Sequence, residues 1–132
     1  GPDIKKMQDW YSRLFDLQKR KINNSPIELI NRAQGVPLNS ERPITTMQLT
    51  EHGNLIELDG YGPGTSKRPQ NEGELPPGIA MTSMLVDNLE NINTDFIMEP
   101  ITMYGSRAAT IRGPAGELIE LIEDNEKIIE EF

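Results

Sequence analysis

The pattern of apolar and polar positions repeats itself once along the chain. Gly53–Leu58 reads GNLIEL and Gly116–Leu121 reads GELIEL. Each copy sets one carboxylate, Glu57 or Glu120, among branched apolar residues. Alternate residues of a strand share a face. Leu118, Glu120 and Ile122 therefore point one way, and Ile119 and Leu121 the other. The second face is expected to pack under a helix. The first is then apolar with an acid at its centre. An unpaired buried carboxylate costs several kcal/mol or takes up a proton, so a cation, a donor such as Arg107 or Arg112, or water must stand beside it.

The same reading predicts the other elements. Asp3 is a good N-cap, and Ile4, Met7, Trp10, Tyr11, Leu14, Phe15 and Leu17 follow at helical spacing. The stripe predicts a helix laid on a sheet and anchored by Trp10. Segment 22–43 is broken by Pro26, Gly35 and Pro37 and reads as loop around one apolar piece, Ile27 to Ile30. Ile44 to Leu49 and Leu55 to Leu58 read as a hairpin. Residues 62–78 are rich in Gly and Pro and form a connector. Then come a strand over Ile79 to Val86, a short helix over Leu89 to Phe96 capped by Asp87-Asn88, and a piece over Ile97 to Ile101 interrupted by Pro100. Strands over Arg107 to Arg112 and Leu118 to Ile122 follow. Ile128, Ile129 and Phe132 stand at helix-like spacing in the acidic tail.

The chain thus divides into a first module (1–61), a connector (62–78), a second module (79–123) and a tail (124–132). The second module reads β-α-β-β-β and the first α-(β)-β-β. An internal repeat follows, with the opening strand of the first copy missing. That strand either lies upstream or comes from another chain or region, so a homodimer or an adjoining domain is expected at the open sheet edge. Gly1-Pro2 looks like the remnant of a cleaved tag and receives no structural role.

Composition narrows the chemistry. The 132 residues are 36% hydrophobic and 26% charged, as in soluble globular proteins. A formal net charge of −8 argues against a phosphate-backbone binder. The basic run Lys19-Arg20-Lys21 reads as a solvated helix end. No apolar run approaches the ~20 residues of a membrane span, and no signal-peptide pattern is present. The expected setting is cytoplasmic, with no nucleic-acid or membrane partner. The chain has no cysteine and one histidine, which removes disulfides, thiolate chemistry and nucleophilic triads.

The segments LPPGIAMTSMLVDNLE (75–90), YGSRAATIRGPAGELIELIE (104–123), NLIELDGYGP (54–63) and MQDWYSRLFDL (7–17) resemble the vicinal oxygen chelate superfamily. Glyoxalase I, bleomycin-resistance proteins, methylmalonyl-CoA epimerase and extradiol dioxygenases belong to it. The turn Gly113-Pro114-Ala115-Gly116 departs from the family's Asp-Pro-x-Gly. The resemblance implies an α+β fold of two βαβββ modules whose mixed sheets curl around a central cavity. It also implies a divalent metal bound by the first and last strands of each module. Glu57 and Glu120 fall on the two last-strand positions. Met81 stands where a histidine is usual, and the fourth position belongs to the missing strand.

The donor set decides what this site can do. Catalytic zinc needs about three protein ligands, whereas Mg²⁺ or Mn²⁺ manages with one or two carboxylates plus water. Met81 offers a thioether, a poor ligand for either, and His52 sits at a hairpin tip. The expectation is a small-molecule-binding protein of this fold with an incomplete metal site and no metal bound by this chain alone. Met47, Met81, Tyr104 and Arg107 are candidate ligand contacts. One alternative is a lyase, isomerase or dioxygenase using Mn, Mg, Ni, Zn or Fe, with Glu57 or Glu120 as ligand or catalytic base. The other is a dimerising structural module.

Overall fold

The computed structural model describes residues 1, 3–49, 53–62 and 64–124. His52 and the tail residues Ile128, Ile129 and Phe132 lie outside them. The chain divides into two compact units, Gly1–Lys67 and Arg68–Phe132.

The first unit opens with α1 (Ile4–Phe15), capped by the Asp3 side chain, which accepts from the Lys6 N–H at 2.9 Å. Met7, Gln8 and Tyr11 form its buried face, and the helix lies against the sheet as its stripe predicts. Asp16 in the left-handed region ends it. Trp10 is half-buried and packs edge-on against Tyr11 and Phe15. Gln8 reaches the sheet, donating to Thr45 Oγ1 at 2.9 Å and to the Arg20 carbonyl at 2.7 Å.

The sheet of this unit has the order β1-β2-β3, with β1 at Asn23–Pro26, β2 at Glu41–Gln48 and β3 at Leu55–Asp59. Both pairings are antiparallel, so the hairpin expectation holds. Segment 22–43 is not loop alone. It contains β1 and α2 (Glu28–Gln34), which Gly35 closes at φ +68°. Seven residues are too few for a helical period to show, and Asn-Asn-Ser-Pro has low strand propensity. The edge position tolerates it.

The fully buried Asn31 holds α2 to β2. Its amide donates to the Leu38 and Ser40 carbonyls at 2.9 and 2.8 Å, and its oxygen accepts from Arg42 Nη2 at 2.6 Å. At the far end of β3 the Gly60 N–H donates to the Pro43 carbonyl at 2.7 Å. A Cβ on Gly60 would lie 2.3 Å from Pro43 Cγ and 3.2 Å from its carbonyl oxygen. The proline ring cannot swing aside as a flexible side chain would. Gly60→Ala should therefore destabilise the protein by about 1–3 kcal/mol, the usual cost of overpacking. A urea midpoint equal to the parent's would show that β3 has room there.

The second unit is a sheet of order β4-β7-β6-β5, with β4 at Met81–Val86, β5 at Phe96–Met103, β6 at Ser106–Arg112 and β7 at Leu118–Glu123. β4 runs parallel to β7 and the other pairings are antiparallel. Ile119 and Leu121 are fully buried and Leu118, Glu120 and Ile122 half-buried, so the two faces of β7 divide as expected.

Three details correct the expectation. The strand predicted from Ile79 begins at Met81, after Gly78 in the left-handed region. The helix predicted over Leu89 to Phe96 is one 3-10 turn, Leu89–Asn91. Asn91, Asn93, Thr94 and Asp95 compete for the backbone with their own side chains and favour turns. The short interrupted piece at Ile97 to Ile101 is part of an eight-residue strand. Pro100 is accommodated because β5 is an edge strand and its register shifts between Met98 and Ile101.

Candidate functional site: the open faces of the two sheets

In the second unit, Glu120 sits mid-strand between two neighbours. β4 places Ser83 beside it in the parallel ladder, and β6 places Thr110 beside it in the antiparallel one. Ser83 Oγ donates to Glu120 Oε2 at 2.5 Å. The donor that this face supplies is thus a serine hydroxyl. Met81 pairs with Leu118, one alternate position away on the same face, and is 43% exposed. The signal for Ser83 was present in the sequence: in MTSMLV it alternates with Met81 and Leu85, a hydroxyl in an otherwise apolar row.

Neither arginine proposed as partner reaches Glu120. Arg107 lies on the opposite face, where it pairs with Glu90 at 2.7 Å and Glu123 at 3.3 Å. The Glu90 hydrogen bond, above all, raises the guanidinium pKa above its ordinary value. Glu123 also accepts from the Leu89 N–H at 2.9 Å, so Arg107 and Glu123 clamp the 3-10 turn. Arg112 donates to the Gly116 carbonyl at 3.0 Å. Tyr104, at φ +53°, and Gly105, at φ +89°, form the two-residue turn between β5 and β6. Tyr104 is wholly exposed there and stands apart from Glu120.

In the first unit Glu57 is exposed on the open face of β3, opposite Thr46. A shallow groove of about 430 Å³ lies on this side of the sheet, lined by Arg20, Lys21, Asn23, Ser25, Ile44 and Thr46. The basic run is therefore not a helix end. α1 stops at Phe15, Lys19 pairs with Asp9 at 2.6 Å, and Arg20 crosses the sheet to Thr46 Oγ1 at 3.3 Å and Gln48 Oε1 at 3.5 Å. Met47 is fully buried on the other face, beneath α1, and belongs to the core.

The ligating groups are sparse. Among the described residues, no three His, Cys, Asp or Glu side chains come together to hold a metal ion. Glu120 with Ser83 and Thr110 does not fit zinc, which takes about three protein ligands drawn from histidine nitrogen, cysteine sulfur and carboxylate oxygen. A hard cation could share Glu120 only by bringing most of its own oxygens.

No protein-family model matches the sequence, and no curated protein matches it. Solved structures do match. A glyoxalase family protein from Bacillus cereus superposes with a TM-score of 0.69 at 20% identity, over 93% of this chain and 87% of that one. A glyoxylase/bleomycin resistance protein/dioxygenase domain from Frankia gives 0.64 at 13% identity, over 96% and 87%. A superfamily member from Sphaerobacter thermophilus gives 0.56 at 19%, over 94% and 90%. The fold is the vicinal oxygen chelate fold. Identities this low carry the fold and nothing finer. Within the vicinal oxygen chelate fold of this chain, Glu57 and Glu120 occupy matching places on the last strands of their units. No helix among the described residues is long and apolar enough to cross a membrane.

Proposed function

We propose that the protein binds a small organic molecule on the open sheet face around Glu120 and does so without a metal ion of its own. One observation carries the reading: the group hydrogen-bonded to Glu120 is the Ser83 hydroxyl, where metal chemistry would want a second acid or an imidazole. A carboxylate flanked by hydroxyls and set among Leu118, Ile122 and Leu85 suits a ligand with an apolar body and one donor group. The exposure of Glu57 on the corresponding face of the first unit supports a polar contact there rather than a closed ion site.

Calorimetric titration with Mn²⁺, Zn²⁺, Ni²⁺ and Mg²⁺ should give no one-to-one binding, in the parent or in Glu120→Gln. Ligand-observed NMR against a fragment library should find binders that lose about tenfold in affinity in Glu120→Gln, the worth of one hydrogen bond to a charged group. Stoichiometric metal binding that vanishes in Glu120→Gln would overturn the reading. So would fragments indifferent to the substitution.

A further inference from the structure

Arg20 and Lys21 belong to no helix or strand, yet two buried side chains hold their backbone. Gln8, 5% exposed, donates to the Arg20 carbonyl at 2.7 Å. The Thr45 hydroxyl, on a residue 3% exposed, is shared between the Arg20 and Lys21 carbonyls at 3.2 and 3.4 Å. Gln8 also donates to Thr45 Oγ1 at 2.9 Å. Burying two polar side chains is costly unless such bonds are made. Here the bonds fix the main chain under two adjacent cations, an anchor that a solvated turn does not need.

The charged heads are not saturated. Arg20 lays its guanidinium across the sheet face to Thr46 Oγ1 at 3.3 Å and Gln48 Oε1 at 3.5 Å. Both acceptors are neutral, and both bonds are longer than the ~2.7–3.2 Å usual for N–H to oxygen. The Lys21 ammonium makes no hydrogen bond or ion pair among the described residues. Asn23 and Ser25 of β1, with Ile44 and Thr46 of β2, complete the groove, and no carboxylate lines it.

Charge balance says what the groove takes. Arg42 is next to Ile44 in the same alternating row, beside Ser25. Its acceptors among the described residues are the neutral Asn31 and Gln34 amides. The acids of this face stand on β3, Glu57 opposite Thr46 and Asp59 opposite Ile44. β2 separates them from the cations, and none of these groups forms an ion pair among the described residues. Arg20, Lys21 and Arg42 thus stand against two carboxylates, with the excess positive charge on the β1 side. A single carboxylate from outside neutralises it, whereas a phosphate dianion overshoots.

We infer that this groove binds the carboxylate of a small organic acid. The Arg20 guanidinium presents the fork that matches a carboxylate, and Lys21 adds a second charge. The Ser25 hydroxyl and the Asn23 amide offer further donors, and Ile44 gives the carbon body of the acid an apolar contact. Gln8 and Thr45 are positioning residues. They hold Arg20 and Lys21 on the groove before it fills, which lowers the ordering cost of binding. The site belongs to the first unit and stands independently of the reading of Glu120.

Titration of benzoate into the isotope-labelled protein, followed by NMR, tests this. Benzamide serves as the uncharged analogue and inorganic phosphate as the dianion. Benzoate should shift the amide resonances of Arg20, Lys21, Ser25 and Thr46 in a saturable way, and benzamide should not. Arg20→Met should weaken benzoate binding about tenfold or more, the loss of a charge-assisted contact, and Arg20→Lys by less. Thr45→Val removes the anchor and should weaken binding by a smaller factor than Arg20→Met. Thr45→Ser, which keeps the hydroxyl, should recover it. Equal shifts from benzoate and benzamide would overturn the proposal. So would benzoate shifts confined to the second unit, or parental affinity in Arg20→Met. Tighter binding of phosphate than of benzoate would overturn the assignment to a single carboxylate, and parental affinity in Thr45→Val the positioning role.

Discussion

Asn31→Ala should cost the protein about 3 kcal/mol or more, because three buried or part-buried groups lose a partner at once, at about 1–3 kcal/mol each. The Arg42 guanidinium is held by two neutral amides, Asn31 at 2.6 Å and Gln34 at 3.1 Å, and its Nε is buried with no hydrogen-bond partner among the described residues. Removing Asn31 leaves a buried cation with one weaker acceptor, and strands the Leu38 and Ser40 carbonyls. Asn31→Asp is the informative companion. It supplies a counter-charge that Arg42 lacks among the described residues, but it cannot donate, and it turns a carboxylate toward two carbonyls. It too should destabilise. Urea unfolding of both variants checks this. An Asn31→Asp variant more stable than the parent would mean that charge at Arg42 outweighs the two donated bonds.

The second large effect is expected from Leu121→Ala. Leu121 is fully buried and lies between Met84 of β4 and Ala109 of β6. Ala109 is too small to close the gap, so a cavity should persist, with a loss of about 2–5 kcal/mol. Leu118→Ala, on the half-exposed face of the same strand, should cost about 1 kcal/mol, in proportion to the apolar area it hides. Equal losses at the two positions would contradict the assignment of faces. A domain of this size holds only about 5–15 kcal/mol of net stability, so either large variant can shift the folded population at physiological temperature.

The sequence carried the parts of this fold that obey a strong period. The alternation in LIELIE fixed which side of β7 is core, and the stripe from Ile4 to Phe15 found α1 and its cap. Elements held by tertiary context were hidden. β1 is four polar or proline residues that pair only because Glu41–Ile44 lies beside them. α2 is anchored through a buried asparagine, which apolar patterning does not register. β5 contains a proline that only an edge position permits. At the site, the doubled glutamate was legible from spacing alone. Its pairing was not: Ser83 stands out in MTSMLV as a hydroxyl in an apolar row, but the parallel register that sets it opposite Glu120 comes from topology. The charged neighbours Arg107 and Arg112 were plausible by nearness in sequence, yet Arg107 is on the wrong face and Arg112 is spent on the turn at Gly116.

The prolines of the outer strands have a consequence for behaviour at high concentration. β5 ends its sheet, and Pro100 removes one N–H from it while two register shifts break its line. β1 ends the other sheet with Pro26 as its last residue. A neighbouring molecule seeking to extend either sheet would meet a missing donor and, at β5, a kinked backbone. Fibrous aggregation through these two borders is thereby discouraged at its first step, whatever the solubility conferred by the acidic surface.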